Sequence, residues 1–191
     1  MNPSLKFVGI FAGLAAFLLC PRHSDAKNFL NIYAAGGVNL AQPLDPSSLR
    51  NNGLGYAGGA LFDFRMSPLL SWEIGLSAIQ RQLQISDTLK TWNYIQIAPL
   101  VRVYPKPEFL SFGLALYYAK RATSDPSYRD TELGGLVSVR LELDLFSLAK
   151  IFSGGIFVET RAGIGPLSSG SGTSVISADL LGLAGLRFGF I

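Results

Sequence analysis

Twelve ionisable side chains recur at even spacing inside otherwise apolar stretches: Asp63, Arg65, Glu73, Arg81, Arg102, Arg140, Glu142, Asp144, Glu159, Arg161, Asp179 and Arg187. Six are arginines, six are carboxylates, and no lysine is among them. Arginine keeps its charge and offers a planar fork that can hold two carboxylates at once. An isolated charge in apolar surroundings is very costly, so equal numbers of opposite sign point to mutual pairing. Catalytic proton transfer would instead ask for a group that titrates near working pH. The one histidine, His23, and the one cysteine, Cys20, both lie close to the N-terminus.

Other chemical signatures are weak. Gly53-Leu54-Gly55-Tyr56-Ala57-Gly58 matches the spacing of a dinucleotide-binding loop but has no strand–turn–helix context. Gly165 to Gly170 lacks the lysine of a phosphate loop, and no dense acidic or His/Cys cluster offers a metal site. No cofactor, metal or catalytic residue is therefore expected. The bases are scattered, which argues against nucleic acid.

The elements that would carry these side chains follow a period of two. From Ser174 to Ile191, the even positions Ile176, Ala178, Leu180, Ala184, Leu186, Phe188 and Phe190 alternate with odd positions that include Ser177, Asp179 and Arg187. Such alternation places the two sets on opposite faces of a strand. The same pattern recurs over Asn28–Leu40, Gly53–Met66, from Leu70 to Arg81, Tyr94–Tyr104, Leu110–Tyr118, Val137–Asp144 and Ile156–Ile164. Pro99 inside the fourth stretch cannot donate to a ladder. Polar connections are expected at Ala41–Asn52, Lys120–Thr131 and Gly165–Thr173, a longer apolar one at Leu145–Ser153, and short turns at Met66-Ser67-Pro68, Ser86-Asp87-Thr88 and Pro105-Lys106-Pro107-Glu108.

The N-terminus reads as a secretory signal. Lys6 supplies the positive charge, Phe7–Leu19 the apolar run, and Ser24-Asp25-Ala26 a cleavage site. The expected organisation is a cleaved peptide over residues 1–26 and one domain over 27–191, which removes Cys20 and His23. The chain is 49% hydrophobic yet only 15% charged, well under the usual quarter for a soluble domain. Past the leader no run reaches the roughly 18 apolar residues of a spanning helix. Apolar residues spread along strands reconcile the two facts. A soluble sandwich or lipocalin would place the charged faces outward. The arginine-only bias, the leader and the missing cysteine pairs favour the inverse, with charges inside and apolar faces towards lipid. The expected fold is all-β, an eight-stranded antiparallel up-and-down transmembrane barrel.

The terminal Leu186-Arg187-Phe188-Gly189-Phe190, the stretch Tyr94–Arg102 with its internal proline, and Glu159-Thr160-Arg161 resemble strands of the small porin-like outer-membrane β-barrel proteins. That resemblance implies a bacterial outer-membrane location in a Gram-negative envelope. It also implies contact with outer-membrane lipid, and assembly by the barrel-assembly machinery through a C-terminal strand carrying Phe188 and Phe190. Three roles stay open: a structural or anchoring barrel with a plugged interior, a monomeric scaffold whose loops bind an extracellular ligand, or a narrow pore for small solutes. Lipid-modifying barrel enzymes are similar in size and strand count, but the mature chain lacks the histidine they use as base. Val139 and Leu141 test the inverted arrangement. Arginine at either position is expected to cost about 2–4 kcal/mol near the bilayer midplane, read from urea unfolding in vesicles; an unchanged midpoint would place those faces in water.

Overall fold

The computed structural model describes residues 29–43, 52–85, 88–105, 109–122, 130–148, 151–168 and 174–190. The expected leader over 1–26, with Cys20 and His23, lies outside them. Eight strands follow in chain order: β1 (Leu30–Pro43), β2 (Asn52–Arg65), β3 (Leu70–Ile85), β4 (Thr88–Val103), β5 (Leu110–Arg121), β6 (Thr131–Leu148), β7 (Phe152–Ser168) and β8 (Ser174–Phe190). Each pairs antiparallel with the next, and β1 pairs with β8, so the sheet is a closed barrel with no free edge along its ring. Closure satisfies the edge groups that an open sheet leaves unpaired.

Opposed residues step around the ring from Leu30 through Phe64, Trp72, Val101, Leu114, Val137, Ala162 and Leu180 to Leu40, ten residues farther along the starting strand. That stagger over eight strands corresponds to a tilt of about 40°. It also fixes which side chains meet inside, because residues at one height come from different positions on each strand.

The two faces differ sharply. On β5, Ser111, Gly113, Ala115, Tyr117, Ala119 and Arg121 are buried, while Phe112, Leu114, Leu116, Tyr118 and Lys120 face out. Leu114 is 67% exposed and Arg140 is fully buried. The barrel is therefore apolar outside and polar within, the reverse of a water-soluble barrel. The interior is not uniformly ionic. Trp92, Tyr94, Leu100, Tyr117 and Leu136 pack together on one side, and Tyr33, Leu61, Ile79, Phe157, Leu181 and Leu183 on the other. Tyr33 and Phe157 meet edge to face at 5.1 Å between ring centroids, a favoured geometry.

Several boundaries differ from the expectation. The strands run 12 to 18 residues, longer than the 9–11 that cross a bilayer. Ala41–Pro43, Lys120–Arg121 and Gly165–Ser168 continue the ladders rather than opening loops. Residues 44–51, 123–129 and 169–173 of those expected loops lie outside the described residues. The long connection expected over Leu145–Ser153 is a correction: β6 runs to Leu148 and β7 starts at Phe152, pairing Leu148 with Phe152. A bulge between Asp144 and Phe146 breaks the alternation there, which hides the strand from a period-two reading. Pro99 sits on the outer face, and the β4–β5 pairing skips from Ile97↔Tyr118 to Leu100↔Ala115 around it. The Met66–Leu69 turn is closed by Met66 and Ser67 amides donating to the Leu70 carbonyl at 2.9 and 3.0 Å.

The β1–β8 seam depends on glycine. A Cβ on Gly185 would strike the Ala34 carbonyl, and one on Gly37 the Gly182 carbonyl. Backbone cannot yield as a side chain does, so neither site admits a larger residue without moving the strands apart. Outward-facing Gly36, on the same strand, has nothing within 4 Å of an added Cβ. Gly185→Ala is therefore expected to lower stability by about 1–3 kcal/mol. Gly36→Ala should leave the midpoint of the heat-induced gel-mobility change where it is. Equal effects from the two variants would contradict this seam geometry.

Candidate functional site

The interior charges gather in three connected groups. At the centre, Glu73 from β3 and Glu159 from β7 face Arg102, Arg140 and Arg161 from β4, β6 and β7. Arg140 reaches both acids, with Nη2 at 2.6 Å from Glu73 Oε2 and 2.7 Å from Glu159 Oε2. Its Nε donates a further bond to Glu159 at 2.9 Å. Arg102 Nη2 lies 2.8 Å from Glu159 Oε1 and 3.4 Å from Glu73. Arg161 spans the same pair at 2.9 and 3.1 Å. Each acid thus binds three guanidinium groups, which flat forked donors allow and single ammonium points would not. Three cations on two acids leave one positive charge, and Glu142 stands 3.9 Å from Arg140 Nη1.

Towards the end where the termini lie, Arg187 binds Glu142 at 3.2 Å, Asp144 and, at 3.4 Å, the Ser153 hydroxyl. The Tyr33 hydroxyl donates to Glu142 at 3.1 Å while its ring lies 4.1 Å beneath the Arg140 guanidinium. Asp63 accepts from the Tyr104 hydroxyl at 3.0 Å and from Asn31 at 3.4 Å. Towards the other end, Arg81 holds Glu132 at 2.5 Å and Asp179, and Tyr117 donates to Glu132. Arg81 also covers the Tyr94 ring at 4.6 Å.

The structure brings Asp63, Glu73, Arg81, Arg102, Arg140, Glu142, Glu159, Arg161, Asp179 and Arg187 into the lumen. The other two of the twelve join the network at its mouth. The Asp144 side chain keeps its bond to Arg187 but is 56% exposed, at the last inward position before the bulge. Arg65 is only half-buried: its guanidinium stacks 3.5 Å from the Tyr104 ring and donates to the Pro68 carbonyl of the adjoining turn at 3.3 Å.

Two interior ions escape the sequence reading. Glu132 and Arg121 are buried, yet Arg121 falls inside the stretch Lys120–Thr131 read as loop and Glu132 just past its end. Extending the alternation of β5 from Ser111 by twos reaches Arg121, and that of β6 back from Arg140 reaches Glu132. The tyrosines that cap the carboxylates, Tyr33, Tyr104 and Tyr117, were likewise on the polar faces without a role.

A gap in the lumen beside Asn39, Arg81, Gln96, Tyr117 and Asp179 measures about 20 Å³, roughly one water molecule. No group of three or more metal-ligating side chains occurs among the described residues.

No family model matches the chain, and no curated protein matches it. Among solved structures it is similar to the crystal structure of the outer membrane protein OprG from Pseudomonas aeruginosa. That match has a TM-score of 0.47 and 13% identity, and covers 87% of this chain and 98% of the other.

Glu159 tests how strongly the central group holds the barrel. Glu159→Gln leaves Arg102, Arg140 and Arg161 sharing the single charge of Glu73. Removing one partner of a buried pair costs about 3–5 kcal/mol, so the unfolding midpoint in urea should fall strongly. A shift no larger than that of an outward polar change would show that the group is solvated.

Proposed function

We propose that this chain is an integral barrel of the bacterial outer membrane, acting as a filled scaffold that anchors in the bilayer and presents its hairpin connections for binding. The observation that carries the reading is the combination of an apolar outer wall with a closed, ion-paired lumen. In lipid every backbone group needs a protein partner, and a closed barrel supplies one without exposing an edge. In water the same wall would expose leucine, valine and phenylalanine around its whole circumference, far beyond the apolar patches of a soluble monomer.

Aromatic placement supports the same reading. At the terminal end the outer face carries Phe64 beside Trp72 at 6.0 Å, and Phe152 packed against Phe146, Phe188 and Phe190. Tyr56 and Tyr118 face outward nearer the other end. From Tyr56 to Phe64 the strand rises roughly 20 Å at a tilt of about 40°, close to the ~25 Å apolar band between aromatic girdles. Phe188 and Phe190 also supply the aromatic end of β8 through which assembly machinery would take hold of the chain. β1, β5 and β7 all finish at the end of the barrel opposite the start of β1 and the finish of β8. Loops on a rigid support are the usual carriers of recognition, so that end is the binding face. Lipid surrounds a single copy of the barrel.

The filled lumen favours this scaffold over a solute pore, and the interior acids are held by arginine or tyrosine rather than poised for catalysis. In planar bilayers the protein is expected to insert, to show heat-dependent gel mobility, and to pass little current. Deleting residues 123–129 should leave the gel shift intact. A steady conductance of a water-filled channel would overturn the scaffold reading in favour of the pore. A mature chain that stays monodisperse without detergent would overturn the membrane reading altogether.

A further inference from the structure

Gly163 of β7 faces the lumen between Leu136 of β6 and Asp179 of β8, its partners in the ladders on either side. Unlike Gly37 and Gly185, it has room for a side chain. A Cβ there would meet Tyr117, Gly135 and Leu136 at 3.6, 3.7 and 3.7 Å, ordinary contact distances. The side chain missing at this position leaves open the gap of about 20 Å³ beside Asn39, Arg81, Gln96 and Asp179. Arg161 of the central group lines the same gap, so it lies between that group and the ion pairs of Arg81.

Three residues around the gap each keep one polar atom to spare. Asn39 donates its amide to the Gln80 carbonyl at 3.3 Å, and its Oδ1 has no partner among the described residues. Arg81 uses both terminal nitrogens on Glu132 and Asp179, which leaves Nε. Asp179 takes Arg81 on Oδ2, which leaves Oδ1. All three atoms are buried away from bulk solvent. A buried polar atom without a partner is rare and costly. Two acceptors and a donor beside a hollow of this size are the partners that a single water molecule needs. An ion of either sign fits poorly: the guanidinium repels a cation, and the carboxylate repels an anion.

We infer that the lumen contains a built site for one structural water, hydrogen-bonded to Asn39 Oδ1, Arg81 Nε and Asp179 Oδ1. The water donates to the two oxygens and accepts from the guanidinium. It ties β1, which carries no charged side chain, to the ion pairs of Arg81 and Asp179.

Crystals of the full mature chain in detergent test it, together with Gly163→Ala. In the wild type a water is expected within about 3.2 Å of at least two of the three atoms. Gly163→Ala places a methyl group in the gap and should remove that water. Alanine ordinarily steadies a strand relative to glycine, and filling a dry hollow adds contacts. Against that trend, Gly163→Ala should lower the urea midpoint in vesicles, because it strands polar atoms that the water satisfied. Gly36→Ala, outward with nothing within 4 Å of the added Cβ, is the control and should leave the midpoint where it is. A midpoint that rises or stays in Gly163→Ala overturns the site. So does a gap without density in crystals that show other water inside the barrel, or an ion there with an anomalous signal. Should Gly163→Ala fail to fold, the wild-type density alone decides.

Discussion

An eight-stranded barrel is so narrow that any ion pointing inward must find its counter-ion among the facing strands. The rest of this structure follows from that restriction. Glu73 and Glu159 each bind three arginines, and the surplus positive charge is answered by Glu142. Tyrosine completes what the ions leave over: Tyr33 and Tyr104 donate to carboxylates and lend their ring faces to Arg140 and Arg65. A ring beneath a guanidinium replaces part of its lost hydration. The lumen thus behaves as a packed core made of polar side chains, and the gap beside Arg81 and Asp179 has room for about one water molecule.

The outer wall answers a different demand. Most of its side chains point away from the protein, so their sizes need only suit what surrounds them. Large residues project freely, and small ones appear where strands press together or where the surface dips. The seam between the first and last strands shows the cost of closing so tight a ring: Gly37 and Gly185 leave the space that the opposing carbonyls occupy. Gly154 serves a comparable end farther down, where the Phe146 ring lies in the space a side chain would take.

Much of the architecture was legible in the residues. The alternation of Val137, Val139, Leu141 and Leu143 with Ser138, Arg140 and Glu142 marks a two-faced strand, and eight such stretches account for the barrel. The choice of arginine throughout marks the charged face as the enclosed one. Pairing was not legible. That Arg140 meets Glu73 across the lumen, besides Glu159 on the adjoining strand, depends on the ten-residue stagger, which no local pattern encodes. Arg121 and Glu132 were hidden because Asp125-Pro126-Ser127 looks like the middle of a wide loop, whereas the ladder continues on both sides, the Arg121 amide donating to the Asp130 carbonyl at 2.7 Å. Asp144 keeps the inward side that the alternation gives it, but a period of two does not say how near the barrel's mouth a residue falls.

The sequence distance between charge partners has a further consequence. Arg161 bonds Glu73 across 88 residues, and Arg140 bonds the same acid across 67. No hairpin can assemble that centre from its own two strands, since the acids and bases arrive on β3, β4, β6 and β7. Single hairpins supply part of it, Arg140 with Glu159 on β6 and β7 and Arg102 with Glu73 on β3 and β4, but the bonds from Arg140 and Arg161 to Glu73 cross the lumen. Zippering of neighbouring strands can therefore begin in the aqueous phase, but the ionic centre locks only when the ring shuts.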